Sequence, residues 1–127
     1  MNTNIYHERM IDLYENPLNF GTLADADFSY EDDNPLCGDI IRIDVRLDAQ
    51  NRVAEVAWSG EGCVVCQSSA SLLTEEVKGM SLDEIKLFTK ERLLTLIGVQ
   101  LNKVRVKCAV LSLNVLQAGA KQIPDRP

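Results

Sequence analysis

A change in hydrophobic period near residue 62 most constrains the fold of this chain. Over residues 41–47 and 52–60, apolar side chains alternate with polar ones, which is typical of half-buried β-strands. From Cys63 onward the apolar positions recur every three or four residues, which is typical of helices. The pattern therefore predicts an antiparallel hairpin that turns at residues 48–51 and is followed by helices, which is an α+β layout.

Helical spacing recurs in several other segments of the chain. We expect helices at residues 3–15, 63–78, 82–90 and 91–97, and a last helix that starts at or near Cys108 and carries its apolar stripe at 110–118. The first should end before Pro17, because a residue that precedes proline is disfavoured in the α conformation. Ser81 and Glu84 predict a capping box, and residues 104–107 lead into the last helix. Residues 16–36 carry prolines, a glycine and several acidic side chains, and we expect them to form a loop.

Composition excludes several classes of function. The 127 residues include 13 Lys and Arg against 19 Asp and Glu, so the chain lacks the basic surface that nucleic acids and anionic membranes require. No apolar run approaches the roughly 18 residues of a membrane span, and the first residues do not resemble a signal peptide. We therefore expect one cytoplasmic domain over residues 1–127, with frayed ends at 1–3 and 121–127.

Four cysteines and a single histidine, His7, dominate the chemistry available to this chain. The cysteines are Cys37, Cys63, Cys66 and Cys108. Disulfides rarely persist in a reducing cytoplasm, so four thiols in a small chain indicate metal ligands or reactive groups. The last three lie at predicted helix N-termini, where backbone N–H groups favour the thiolate over the thiol. The shortage of histidine argues against Ser-His-Asp and Cys-His catalysis and excludes a histidine-rich metal site.

The alternative for any single cysteine is a small buried hydrophobic side chain. Cys37 and Cys63 are embedded in glycine and turn residues, which argues against that interpretation for these two. Cys63 and Cys66 form a CxxC, the spacing of redox dithiols and of half a zinc site. No second CxxC follows, so a zinc ribbon is not supported, and the absence of a βαβ pattern argues against a thioredoxin-like domain.

Several ordered motifs between about residue 6 and residue 118 carry a family resemblance. They are NPLCGD at 34–39, GEGC at 60–63, SSAS at 68–71 and RVKCA at 105–109, after an opening YENPLNFG at 14–21. In this order and spacing they resemble the IscU/SufU/NifU-N iron–sulfur scaffold family. The resemblance implies a SufE/NifU-like α+β fold, in which helices pack on a small three-stranded antiparallel sheet.

The resemblance also implies a site and a function. Cys37, Cys63 and Cys108 match the three cysteines of the family, and Asp39 matches the aspartate of its CGD motif. In the family these groups surround a [2Fe–2S] cluster or a Zn²⁺ ion, and one of the cysteines accepts persulfide sulfur from a cysteine desulfurase. The implied function is that of a scaffold rather than an enzyme, compatible with sulfurtransferase activity, which passes its cluster to apoproteins.

Asp39 offers a reason for a labile cluster. Thiolates are the usual ligands of iron–sulfur clusters and bind zinc well. An oxygen ligand holds a soft metal less firmly than a fourth sulfur, which suits a protein that must release what it assembles. Asp39 could equally support the ligands through hydrogen bonds, or be an ordinary carboxylate at the start of a strand.

The chain departs from the chaperone-assisted branch of the family at two places. Lys107 stands where that branch has a histidine before its third cysteine, and residues 101–105 do not match the Leu-Pro-Pro-Val-Lys motif. Both departures argue against an Hsp70-type chaperone as a partner. Lys107 cannot replace an imidazole ligand, but it could pair with a metal-bound thiolate or with an incoming persulfide.

Two functions use the same residues and stay open at the level of sequence. One is a scaffold that builds a cluster, and the other is a SufU-like, zinc-bound acceptor of persulfide sulfur. Residues 34–39 and 105–109 favour the SufU-like branch, whereas the compact spacing of Cys63 and Cys108 is closer to the IscU-like branch. A structural or redox CxxC domain is a third hypothesis, which the motif match disfavours.

Cys66 is the remaining departure, because the family has a small residue at this position. If it lies one helical turn after Cys63, its sulfur could approach the site. It would then be a fourth metal ligand or a resolving thiol. The alternative is a buried small residue in the first turn of the helix.

Overall fold

The structure, a computed structural model, describes residues 3–123 and the side chains of residues 7–123. Its elements are α1 (Thr3–Glu15), β1 (Phe28–Asn34), β2 (Asp39–Leu47), β3 (Val53–Glu61), α2 (Val64–Glu76), α3 (Leu82–Lys86), α4 (Lys90–Ile97) and α5 (Lys103–Ala120). The fraying expected at residues 1–2 and 124–127 lies outside the described part. In that part, no helix combines the length and the apolar character that crossing a membrane requires.

The three strands form one antiparallel sheet in the order β1-β2-β3, which confirms the expected α+β architecture. Ile43 of the central strand pairs with Tyr30 on one side and with Trp58 on the other. Along β2, Ile41, Ile43 and Val45 are fully buried, as their alternation predicts. This face of the sheet carries the helices, because α5 packs on β1 and β2 and α2 packs on β3.

Asp44 is an exception to the alternation along β2. Its carboxylate is buried and accepts hydrogen bonds from the backbone N–H of Leu23 at 3.2 Å and from the Ser29 hydroxyl at 2.5 Å. It also pairs with Arg42 at 3.0 Å. Because a buried carboxylate must be compensated by donors, these contacts fix the segment before β1 against the sheet.

The expectation of a loop over residues 16–36 is wrong for β1. Its middle residues are acidic and exposed, since β1 is an edge strand with solvent on one side. Phe28 at its start is buried, and Tyr30 packs against the core. A Cβ added at Gly119 of α5 would lie 2.7 Å from the Phe28 ring. The glycine therefore lets α5 approach β1 closely. This packing stabilises the strand, although its sequence lacks the alternation of apolar and polar residues that is typical of a half-buried strand.

Small polar residues of α2 allow its neighbours to pack closely. Ser68 and Ser69 are fully buried. Ser68 donates to the carbonyl of Met10 in α1 at 2.8 Å, and Ser69 donates to the carbonyl of Ala109 in α5 at 2.5 Å. Since each hydroxyl is satisfied, the SSAS motif links three helices without leaving an unpaired polar group in the core.

Helix boundaries after the sheet follow the capping residues. Ser81 and Glu84 form the predicted capping box at the start of α3. The helix expected at 82–90 is shorter, because Thr89 caps a separate helix, α4, through the backbone N–H of Arg92. The last helix starts earlier than expected. Asn102 accepts a hydrogen bond from the Arg105 backbone N–H at 2.9 Å, so residues 104–107 already belong to α5.

Gly60, near the end of β3, offers a test of how closely β3 packs against β2. Its φ is +134°, and an added Cβ would lie 2.0 Å from the carbonyl oxygen of Ile40. We expect Gly60→Ala to lower the free energy of unfolding by about 2–5 kcal/mol, through backbone strain and overpacking together. Urea unfolding followed by Trp58 fluorescence, with a chelator present, measures the change.

Gly21→Ala is the matched control for this substitution. Gly21 has a similar φ of +143°, but nothing lies within 4 Å of the added Cβ. The control should therefore show only the backbone strain, of about 1–3 kcal/mol. Equal losses in the two variants would contradict the assigned contact with Ile40.

Candidate metal centre

The turn between β1 and β2 positions Cys37. Asn34, at the end of β1, accepts backbone hydrogen bonds from Cys37 at 3.1 Å and from Gly38 at 2.9 Å. Its side-chain oxygen accepts from the Leu36 N–H at 3.1 Å, and its amide nitrogen lies 3.7 Å from the Cys37 sulfur. Asn34 is buried, so the turn and the orientation of Cys37 are set by the backbone carbonyl and the side chain of this one residue. Asp39 follows directly as the first residue of β2.

Asp39 connects this turn to the start of α2. Cys63 is the N-cap of α2, and its backbone N–H donates to Oδ1 of Asp39 at 3.0 Å. The Cys63 sulfur lies 3.8 Å from Oδ2 of the same carboxylate. Asp39 is 1% exposed. A buried carboxylate at the N-terminus of a helix is stabilised by the N–H groups there. This contact therefore holds the start of β2 against the start of α2.

Glycine at position 62 makes room for this arrangement. A Cβ there would lie 2.9 Å from Oδ1 of Asp39 and 3.1 Å from the Cβ of Cys66. Any side chain at residue 62 would therefore displace the carboxylate or the first turn of α2. This accounts for the second glycine of the GEGC motif.

Cys108 approaches from α5. Its sulfur lies 2.6 Å from the sulfur of Cys37, and all four cysteines are free. Ligand atoms of Cys37, Asp39 and Cys108 all lie within 4.8 Å of one another. Because zinc forms bonds of 2.0–2.3 Å to such ligands, a group of this size and chemistry could hold one metal ion. Two thiols and a carboxylate also suit iron.

Cys63 does not belong to this close group, within the part of the chain that the structure describes. It is joined to the group through Asp39, which it contacts with both its N–H and its sulfur. The structure thus brings Cys37, Asp39 and Cys108 together and places Cys63 at the edge of the same site. Cys66 lies one helical turn further into the protein and is fully buried.

The cysteines differ in exposure, and this corrects the expectation that helix N-termini favour the thiolate at Cys66 and Cys108. Cys37 and Cys63 are partly exposed, whereas Cys66 and Cys108 are completely buried. Burial raises the pKa of Cys66, and the charges of Asp39 and Cys63 add to this effect. Burial also raises the pKa of Cys108, which lies in the second turn of α5 rather than at its start.

Arg105 is a site residue that reasoning from the sequence missed. Its guanidinium is exposed, and its pKa is raised, first by the charge of Cys63 and then by the hydrogen bond and charge of Cys108. Residues three apart on a helix share a face, so the spacing of Arg105 and Cys108 could have indicated this contact. Lys107 instead lines a surface groove with Asp32 and Asn114.

A model of the NifU-like N-terminal domain matches residues 5–127. The chain belongs to this family. A relative from Bacillus subtilis (strain 168), named zinc-dependent sulfurtransferase SufU, is 33% identical over 91% of this chain and 88% of its own length. The iron–sulfur cluster assembly scaffold protein IscU of Escherichia coli (strain K12) is 30% identical over 90% of each chain. The resemblance inferred from the motifs is therefore confirmed.

Solved structures confirm the NifU-like fold. A putative scaffold protein for the SUF system from Fervidobacterium islandicum AW-1 superposes with a TM-score of 0.77 at 22% identity, over 94% of this chain and 99% of the other. The N-terminal part of a NifU-like protein from Brucella abortus gives 0.77 at 21% identity, over 95% of each chain. At these identities the likeness concerns the fold alone.

Thiol alkylation tests the two classes of cysteine. In reduced, metal-free protein, we expect iodoacetamide to label Cys37 and Cys63 first, and Cys66 and Cys108 at least about tenfold more slowly, because buried thiols are poorly accessible. Peptide mass spectrometry after timed quenching measures each rate. In guanidinium chloride the four rates should become similar. Labelling of Cys66 as fast as Cys63 in the folded protein would contradict the assigned burial.

Proposed function

We propose that this protein is an iron–sulfur cluster assembly scaffold. In this proposal it accepts sulfur from a cysteine desulfurase, assembles a labile [2Fe–2S] cluster on Cys37, Asp39, Cys63 and Cys108, and passes the cluster to apoproteins. The observation that carries the proposal is the close group of Cys37, Asp39 and Cys108. These residues come from a turn, a strand and a helix, and Cys63 is bound to the same carboxylate.

The donor set suits a cargo that must be released. Thiolates bind iron well, whereas a carboxylate oxygen is a weaker ligand for a soft metal. Asp39 also accepts a hydrogen bond from the N–H of Cys63, so its oxygens would contact both the protein backbone and the cluster. After loss of the cluster, the buried Asp39 carboxylate would keep this hydrogen bond and would not be left without a donor.

Access of sulfur to the site is supported by the exposure of its thiols. Cys37 and Cys63 are partly exposed, so either can be reached by a persulfide on a partner protein. Arg105 places a positive charge beside Cys63 and Cys108. A cation favours the thiolate form and attracts an anionic persulfide. We therefore assign Arg105, rather than Lys107, as the cation that faces the sulfurs.

A zinc-bound acceptor of persulfide sulfur is the second candidate function. The similarity to the relative named zinc-dependent sulfurtransferase SufU favours it. So does Lys107, which stands where the other branch carries a histidine ligand. Both functions require a cysteine desulfurase as partner. Lys107 and the unmatched motif at residues 101–105 argue against an Hsp70-type chaperone.

Metal retention tests both candidates. Purified without chelator, the protein should retain about one zinc per chain, or form a visible-absorbing cluster with iron, cysteine and a desulfurase. Cys63→Ser and Cys108→Ser should weaken metal binding by at least about tenfold, because each removes a thiolate. Elemental analysis and absorption spectra measure the loss.

Cys66→Ser is the matched control for metal retention, since it changes a neighbouring buried thiol outside the ligand set. It should retain bound zinc as the wild type does. Equal loss in Cys66→Ser and Cys63→Ser would place Cys66 among the ligands. A wild-type protein that binds neither zinc nor a cluster would overturn both candidate functions.

The role of Arg105 is tested by comparison with Lys107. We expect Arg105→Gln to slow persulfide transfer from the desulfurase by about two- to fivefold, a modest effect because the charge that is removed is exposed to solvent. Lys107→Gln removes an equal charge two residues away and should have less effect. Transfer is measured by mass spectrometry as sulfur added to the chain over time. A larger effect of Lys107→Gln would reverse the assignment.

A further inference from the structure

The four thiols of the site form two pairs, each with one accessible and one buried member. Cys37 contacts Cys108 at 2.6 Å. Cys63 and Cys66 share the first turn of α2, where Cys63 is partly exposed and Cys66 is fully buried. The proposed function uses three of these thiols. Cys66 is the one it leaves without a role, although it lies beside the site.

The spacing of Cys63 and Cys66 suits a disulfide. Cys63 is the N-cap of α2 and Cys66 is the third residue of the helix. Side chains three residues apart lie on one face of a helix, with Cβ atoms about 5–6 Å apart. A disulfide needs Cα atoms at about 4.4–6.8 Å and somewhat closer Cβ atoms, so a small adjustment of the first turn brings the sulfurs together.

The surroundings of this pair favour reaction at Cys63. The Cys63 side chain makes no capping hydrogen bond, so it leaves the first N–H groups of α2 without a side-chain acceptor at that position. Such groups stabilise negative charge that develops on sulfur. The buried Asp39 carboxylate contacts both the N–H and the sulfur of Cys63. It thus orients the accessible member of the pair.

We propose that Cys63 and Cys66 act as a dithiol that reduces a persulfide on Cys63 to sulfide. This inference rests on the proposed function, which delivers the persulfide sulfur. The Cys66 sulfur attacks the Cys63 sulfur and forms a Cys63–Cys66 disulfide. The S–S bond of the persulfide breaks, and its terminal sulfur leaves as HS⁻ and takes up the proton of the Cys66 thiol. Overall, two thiols become a disulfide while one sulfane sulfur becomes sulfide, a two-electron exchange.

This step supplies what cluster assembly needs. The bridging atoms of an iron–sulfur cluster are sulfide, whereas a persulfide delivers sulfur at a higher oxidation state. Here the two electrons come from the chain itself. An external dithiol reductant then returns the disulfide to two thiols by exchange, which completes the cycle. Cys63 becomes available as a ligand again once the disulfide is reduced, while the group of Cys37, Asp39 and Cys108 stays available for metal throughout.

Sulfide release without added reductant tests the proposal. The full chain, reduced and treated with a chelator, is loaded with sodium polysulfide and separated from excess reagent. Wild-type protein should release sulfide, measured by a colorimetric assay, and peptide mapping should find the Cys63–Cys66 disulfide. Because the step is intramolecular, its rate constant should not depend on protein concentration.

Cys66→Ser is the decisive variant, because the hydroxyl is a slightly smaller group that cannot form a disulfide. It should take up sulfur as the wild type does, retain the added sulfur on Cys63, and release sulfide at least about tenfold more slowly until dithiothreitol is added. Circular dichroism and thermal unfolding verify that the variant is folded.

The outcomes separate the two proposals. Equal sulfide release by the folded wild type and Cys66→Ser overturns the dithiol step while leaving the proposed function intact. So does a disulfide found between Cys37 and Cys108 in place of Cys63–Cys66. If the wild-type chain takes up no sulfur from polysulfide or from a desulfurase, the proposed function itself fails, and the dithiol step fails with it.

Discussion

The buried carboxylate of Asp39 is the contact on which the arrangement of the site depends. Its Oδ1 accepts the N–H of Cys63 at 3.0 Å, so the first residue of β2 is tied to the first turn of α2. A carboxylate that is almost completely buried would be strongly destabilising without such donors. The N-cap of α2 supplies one such donor, the N–H of Cys63, and it is brought there by β3 and by Gly62, which follows the strand. Asp39 is therefore both a candidate ligand and a structural link.

Close packing of α5 against its neighbours positions Cys108, which completes the site. Ser69 of α2 donates to the carbonyl of Ala109, the residue after Cys108, at 2.5 Å. Gly119 allows the far end of α5 to lie against the ring of Phe28. Small residues at these two contacts set the height of α5 over the sheet, and hence how closely Cys108 approaches Cys37. A larger side chain at either contact would move the Cys108 sulfur away from the turn.

Much of the fold could be predicted from local patterns. The alternation along β2 and β3, the start of α2 at Cys63 and the capping box at Ser81 are local consequences of period and side-chain chemistry. β1 could not be predicted in this way. Its acidic residues face solvent on an edge strand, and Phe28 and Tyr30 are recognisable as core only once α5 lies over them. The early start of α5 could not be predicted from the apolar stripe, which begins at Val110, about two turns after the cap at Asn102.

The sequence by itself determined the chemistry of this protein: three family cysteines, an aspartate in a CGD motif and an extra thiol in a CxxC, with almost no histidine to compete. Only the tertiary structure decided which of these groups are buried and which are accessible. Packing of α2 and α5 buries Cys66 and Cys108 and leaves Cys37 and Cys63 accessible, because burial depends on which helix face meets the sheet. The same geometry turns Arg105 toward the sulfurs and Lys107 toward a separate groove, since the two residues lie on different sides of α5.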